Sequence, residues 1–252
     1  MGVIRKPVIA IAQIKYYDIN KTHNLIKIKR YIFKAKKNKA DIVCFPESCL
    51  KKTGSINIED RLVKSIQAEC KKNEIWCIIT DDFEINNKVY NSALVIDRNG
   101  KIRGNYNKIN LYGENTVEAG NKIKIFRTDF GKIGIAICWD LTFPELFSEM
   151  KRKGAEIIFC PAQWNYDVPA HKSRPIYREI ELLRSMVLAR AHENVIYVAI
   201  CNPLMDSKTQ VSYSAIADPH RIIKEKIGEE GLITAELDII KLRKFRRLYS
   251  KE

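Results

Sequence analysis

The sequence predicts a single α/β domain, and three observations predict it. Apolar runs of strand length alternate from end to end with amphipathic stretches of helical period. The 252 residues, 46% of them apolar, suffice for one large core. No internal repeat, low-complexity tract or linker divides the chain.

The elements follow in order. Val8 to Ile14 reads as a buried strand. The basic and then apolar start resembles a signal peptide, but its apolar part is short, runs into Gln13-Ile14-Lys15 and carries no small-residue cleavage site. Asn20 to Asn38 is a predicted helix, with Leu25, Ile28, Ile32 and Ala35 at spacings of three and four. Asp41 to Phe45 is a strand ending at Pro46-Glu47, Ile58 to Lys72 a helix and Ile75 to Thr80 a strand. Asn91 to Asp97 and Lys101 to Lys108 form a predicted hairpin across Asn99-Gly100, a dipeptide suited to the positive φ of a tight turn. Lys132 to Cys138 is the next strand. The helix Pro144 to Lys153 follows, its start marked by Pro144 and by Thr142 and Glu145 in capping-box spacing. Glu156 to Cys160 (strand), Arg178 to Glu193 (helix) and Val195 to Cys201 (strand) come next. A hairpin of Ser214 to Ala217 with Arg221 to Lys226 turns at Asp218-Pro219, and Leu232 to Leu237 closes the sheet. Residues 238–252 are a basic, partly amphipathic tail of the same domain, 1–252.

Composition excludes several classes. No apolar run approaches the roughly 18 residues of a membrane span. The seven cysteines form no CxxC pair and no cluster with His; their odd number and irregular spacing point to a reducing compartment, with the cytoplasm as the default location. Cys44, Cys77, Cys160 and Cys201 sit in apolar runs and read as core residues. The net charge of +14 suggests nucleic acid. The lysines, however, are spread along the chain without a binding motif, which makes nucleic-acid binding the lesser reading. GxSxG, P-loop, HExxH and dinucleotide signatures are absent, so no metal or organic cofactor is expected.

Three segments end an apolar strand on a reactive side chain: Asp41-Ile-Val-Cys-Phe-Pro-Glu47, Gly104-Asn-Tyr-Asn-Lys108, and Gly131-Lys-Ile-Gly-Ile-Ala-Ile-Cys138. Ligands of open α/β sheets bind beyond the carboxyl ends of strands, so these side chains can converge. Singly, Glu47 is a solvated strand-end carboxylate, Lys108 a surface lysine and Cys138 a core cysteine. The elbow changes the reading of Cys138, because Trp139-Asp140 and a marked helix start follow it directly.

In this order the segments resemble the nitrilase superfamily of carbon–nitrogen hydrolases: a Glu after a strand, a Lys after a hairpin, and a Cys followed by aromatic–Asp and Phe143-Pro144-Glu145. Ala189-Arg-Ala-His-Glu193-Asn-Val-Ile-Tyr197-Val and Ser214-Ala-Ile-Ala-Asp218-Pro also match, so the resemblance runs from about Val8 to Leu237. It implies a four-layer αββα sandwich that pairs into an eight-layer αββααββα homodimer, sometimes larger. The helix after Cys138 and the tail would lie at the interface, the tail's basic run Arg243 to Arg247 being either a solvated flank or a dimer arm. It further implies a Glu-Lys-Cys triad in which Glu47 is the general base and Cys138 the nucleophile, with Lys108 and the backbone N–H of Trp139 on the oxyanion. The residue chemistry agrees. A free thiol has a pKa of about 8.5 and needs a base near neutrality, while an ammonium stabilises both thiolate and oxyanion. A second glutamate near the substrate is implied between the Lys and the Cys, as Glu114 or as its competitor Glu118.

Nitrilases tend to carry Cys-Trp-Glu where this chain has Cys138-Trp139-Asp140, which favours a small amide, cleaved to acid and ammonia, over a nitrile. The same tripeptide with Phe-Pro-Glu is similar to N-carbamoyl-amine hydrolases, the alternative. Asn110 and Trp139 depart from the ω-amidase pattern of His and Tyr, and Ser55 stands where relatives often have a Tyr after Thr-Gly. Specificity is expected from the loops 48–57, 112–121 and 163–175, with Tyr112 and Trp164 as pocket walls. His171 is a candidate pocket residue and His192 a packing one. A basic nucleic-acid-binding protein on the same fold is the reading from another class; a silent scaffold is opposed by the three filled reactive positions.

Overall fold

The computed structural model describes residues 6–16, 22–165, 176–205 and 211–249. Strands β1 (Val8–Gln13), β2 (Ile42–Cys44), β4 (Trp76–Ile85), β5 (Lys88–Ile96), β6 (Ile102–Asn107) and β13 (Gly231–Glu236) form one sheet, ordered β13-β1-β2-β4-β5-β6, with the short β3 (Ile56–Asn57) beside β4. Strands β7 (Ile125–Arg127), β8 (Lys132–Ile135), β9 (Ile157–Pro161), β10 (Tyr197–Cys201), β11 (Tyr213–Ala217) and β12 (Ile222–Ile227) form the other, ordered β12-β11-β10-β9-β8-β7.

Alternation along the strands dictates the layering. In β1, Ile9 and Ile11 face the second sheet's core, while Ala10 and Ala12 face α1 (Leu25–Lys37) and α2 (Arg61–Asn73). Both faces are apolar because both are covered, as parallel sheets require. The second sheet is backed by α3 (Pro144–Arg152) and α4 (Ile176–Asn194), which carry Phe147, Met150, Leu183 and Val187 into the same core as the inter-sheet residues. Each fully buried aliphatic side chain contributes about 1.5–3 kcal/mol. The product is the αββα sandwich that the resemblance implies. In each sheet the three central strands run parallel, β1-β2-β4 in one and β8-β9-β10 in the other. Their carboxyl ends therefore gather at one edge.

The short strands β3 and β7 are absent from the sequence reading, and several local boundaries differ from it. β4 runs on to Ile85 and turns at Asn86-Asn87, both at positive φ (53° and 61°), into a hairpin with β5. Asparagine tolerates the left-handed region, which makes this an unread turn signal. β8 stops at Ile135, three residues short of Cys138. The expected capping box is not formed: Phe143 is the N-cap without a side-chain bond, and Thr142 Oγ1 instead donates to the Trp139 carbonyl (2.9 Å). Helix α1 starts at Leu25, and residues 17–21 lie outside the described ones.

The tail helix α5 (Ile239–Tyr249) buries Ile239 and Leu242 against its own chain. Arg243 Nε donates to Glu156 Oε1 (2.6 Å) and Arg246 Nε to the Val195 carbonyl (2.9 Å), so this part of the basic run is docked intramolecularly. All seven cysteines are free and buried. Among the described residues no helix is long and apolar enough to cross a membrane.

Candidate active site

The gathered strand ends place the predicted reactive groups together. After β2 the chain passes through Phe45-Pro46, and the Glu47 N–H donates to the Ala162 carbonyl (3.3 Å) just beyond β9, linking the two sheets. The Glu47 carboxylate is buried and fully engaged. Its Oε1 accepts from Lys108 Nζ (3.0 Å) and Asn91 Nδ2 (2.7 Å), and its Oε2 from the Gln163 N–H (2.9 Å). Lys108 follows β6 directly, its backbone pinned by bonds to Asn91 and Gly120. Its side chain is 2% exposed, and the ammonium also contacts Glu114 Oε1. The second oxygen of Glu114 accepts from the Tyr112 N–H, which holds this carboxylate over the ammonium.

Cys138 opens a short 3-10 helix, Cys138–Thr142, with φ +46°. That conformation costs a non-glycine residue roughly 1–2 kcal/mol and is held by Asp140. The fully buried Asp140 carboxylate accepts from the Ile137 N–H (3.0 Å) and the Tyr106 hydroxyl (2.8 Å) through Oδ2. Its Oδ1 accepts from the Asn110 N–H (2.8 Å) and Nδ2 (2.9 Å). Burial pushes the Asp140 pKa up, and these donors oppose the push. Tyr106 and Asn110 flank Lys108, so one carboxylate ties the lysine's strand end to the cysteine's elbow. Asp140→Asn turns one acceptor into a donor facing donors, and we expect a loss of about 1–3 kcal/mol. Urea unfolding reads it; an unchanged midpoint would remove Asp140 as the clasp.

The three groups line one cavity of about 300 Å³ together with Glu114. One wall is aromatic: Trp139 lies 4.5 Å from Tyr112 and 5.7 Å from Trp164, centroid to centroid. Trp164 is fixed by its Nε1 donating to Glu179 Oε1 (2.8 Å). Burial pushes the Cys138 thiol well above its ordinary range and Glu47 adds to it, against Lys108 and the Gln163 N–H. Burial works to lower the Lys108 pKa, but Glu47, Cys138 and Glu114 outweigh it and hold it above the ordinary lysine value.

Glu47, Lys108, Cys138, Trp139, Glu114, Tyr112 and Trp164 thus meet at one cavity. Glu118 does not; it is exposed and pairs with Lys88 (3.7 Å). His192 contacts the Pro219 carbonyl (2.8 Å), away from the site. His171 and the rest of the third specificity loop, 166–175, lie outside the described residues. Sequence reasoning missed Asn91, Asp82, Asp140 and the Trp139 ring. The one signal for Asn91 was a polar Asn91-Ser92 pair inside an apolar strand.

The carbon–nitrogen hydrolase family model matches residues 8–247. The deaminated glutathione amidase of Dictyostelium discoideum is 28% identical over 257 residues, covering 88% of this chain and 85% of that protein. The omega-amidase of Mus musculus is 27% identical, covering 95% of this chain and 91% of that one. The 2-oxoglutaramate amidase of Bacillus subtilis (strain 168) is 28% identical, covering 86% and 85%. A solved structure from Saccharomyces cerevisiae, described as a member of branch 10 of the nitrilase superfamily, matches with a TM-score of 0.82 at 25% identity, over 97% of this chain and 94% of that one. An amidase structure from Nesterenkonia sp. matches in fold, with a TM-score of 0.79 at 19% identity, over 97% of each chain.

Proposed function

This chain belongs to the carbon–nitrogen hydrolase family of the nitrilase superfamily, and from that premise we propose that it cleaves a small carboxamide to acid and ammonia through a cysteine thioester. As a member it is an amidohydrolase of carbon–nitrogen bonds other than peptide bonds. The observation that carries the mechanism is the Lys108–Glu47 contact at 3.0 Å, on the wall of the cavity that Cys138 lines.

The steps follow from the contacts of Glu47 and Lys108 and from the cavity they share with Cys138. Glu47 takes the thiol proton as Sγ attacks the carboxamide carbon, so no free thiolate need accumulate. The carbonyl oxygen becomes an oxyanion beside the Lys108 ammonium. The Trp139 N–H belongs to the opening turn of the 3-10 helix, where amides lack acceptors within the helix, and serves as the second donor. Collapse breaks the C–N bond, and the proton held by Glu47 passes to the departing nitrogen. Glu47 then takes a proton from water as its oxygen attacks the thioester carbon; collapse breaks the C–S bond, the acid leaves, and Glu47 returns the proton to Sγ. Glu114 is the second carboxylate that holds the ammonium, and Tyr112 and Trp164 flank the acyl group. We also propose the homodimer, with α3 and the tail helix α5 at its interface, where the exposed Ile240 and Leu248 of α5 would be covered.

An ammonia-release screen over carboxamides, N-carbamoyl amines and nitriles, with the Cys138→Ala variant as blank, tests the reading. Activity on carboxamides supports it; activity confined to carbamoyl amines or nitriles replaces the substrate class. The raised thiol makes a separate prediction. A raised acid pKa leaves less thiolate at any given pH, so alkylation of Cys138 by a neutral reagent should keep climbing past the ordinary thiol pKa of about 8.5. A rate that levels off below neutrality would instead mean a resting thiolate–ammonium pair.

A further inference from the structure

The cavity carries a negative charge that the reaction does not use. Among the described residues, the carboxylates of Glu47, Asp82, Glu114 and Glu179 line it against a single ammonium, Lys108. Lys108 contacts Glu47 and Glu114, and Glu179 accepts from Trp164. Among the described residues the Asp82 carboxylate has no hydrogen-bonded or ion-paired partner. Burial raises its pKa, Glu47 and Glu114 add to this, and Lys108 only partly offsets them.

A second acceptor stands beside it. Asp82 on β4 pairs directly with Asn91 on β5, so both side chains leave the same face of the sheet and both line the cavity. Asn91 is 3% exposed. Its Nδ2 donates to the Glu47 carboxylate, which can only accept while ionised, and this fixes the orientation of the amide. The Asn91 Oδ1 is left buried with no donor, an arrangement that is costly unless something else supplies one. A carboxylate and an amide acceptor thus adjoin on the cavity wall, and among the described residues no donor answers either.

We propose that the amide substrate carries a positively charged donor group, a protonated amine or guanidinium, that docks between Asp82 and Asn91 Oδ1 while its carboxamide meets Cys138. The inference rests on the amidase reading and names its substrate class. A cation offsets the excess of carboxylates among the described lining residues and satisfies both acceptors. A carboxylate at the same end would face Asp82 with like charge.

Calorimetric binding to the Cys138→Ala enzyme tests recognition apart from turnover, with γ-aminobutyramide, valeramide and glutaramate as matched cationic, neutral and anionic probes. We expect γ-aminobutyramide to bind on the order of tenfold or more tightly than valeramide, with glutaramate weakest. Adding Asp82→Asn should bring the cationic and neutral probes within about twofold of each other. The proposal is overturned if valeramide or glutaramate binds as tightly as the cation, if none of the three binds, or if the preference survives Asp82→Asn. Ammonia release by the unmodified enzyme tests the amidase reading separately, since turnover without charge preference would sink only this inference.

Discussion

Cys138→Ala is expected to lower ammonia release by at least about a thousandfold in an intact fold. The size follows from the chemistry. Without Sγ the acyl group has nowhere to go, and only direct attack by water remains, helped by whatever oxyanion stabilisation Lys108 supplies. No other cysteine can substitute: the remaining six are buried, and none lines the cavity. The fold should survive, because the clasp on the elbow runs through the main chain of Ile137 and the Asp140 carboxylate and does not touch the sulfur. Alanine at φ +46° carries the same backbone strain as cysteine, and the lost packing is that of one heavy atom, about 1 kcal/mol. Circular dichroism and an ammonia assay measured on the same preparation decide it. Activity above a few per cent, with contamination excluded by a second Cys138→Ser preparation, would place the nucleophile elsewhere.

The contrast between what could and could not be read in the sequence has a physical origin. β1, β2, β9 and β10 were legible because strands buried on both faces are apolar runs whatever their neighbours. Glu47 was legible because it follows such a run, whereas Lys108 follows the mostly polar β6 and stood out only through the order of the segments. Cys138 itself was misplaced, as the last residue of a strand. Ile135-Ala-Ile137 continues the apolar pattern, and the break is imposed by Asp140, whose partners Tyr106 and Asn110 lie some thirty residues away. A pattern read along the chain does not contain that constraint. Thr142 likewise has capping-box spacing, yet its hydroxyl satisfies the Trp139 carbonyl. Asp82 and Asn91 become a pair only through the β4–β5 register, which the unread turn at Asn86-Asn87 sets.

Lys108→Met should be the most damaging substitution for stability, and its cause separates structure from catalysis. The ammonium is the one described cation lining a pocket with four carboxylates, and it is held charged by Glu47, Cys138 and Glu114. Because its pKa is raised above the ordinary lysine value of about 10.4, its contribution to stability is complete at neutral pH and is lost only as pH climbs beyond that value. Removing it at neutral pH leaves the buried Glu47 carboxylate beside Glu114 with no counter-charge, and breaking a buried pair from one side costs about 3–5 kcal/mol. The double variant Glu47→Gln/Lys108→Met removes both charges of that pair. Glu114 is about a quarter exposed (26%) and can be hydrated, so most of the lost stability should return. Activity should not return, because the proposed base and the proposed cation at the oxyanion are both absent. Urea unfolding of the two single variants and the double gives the coupling. A double variant as unstable as Lys108→Met alone would mean that the lysine stabilises by packing its stem, and recovered turnover would remove both residues from the chemistry.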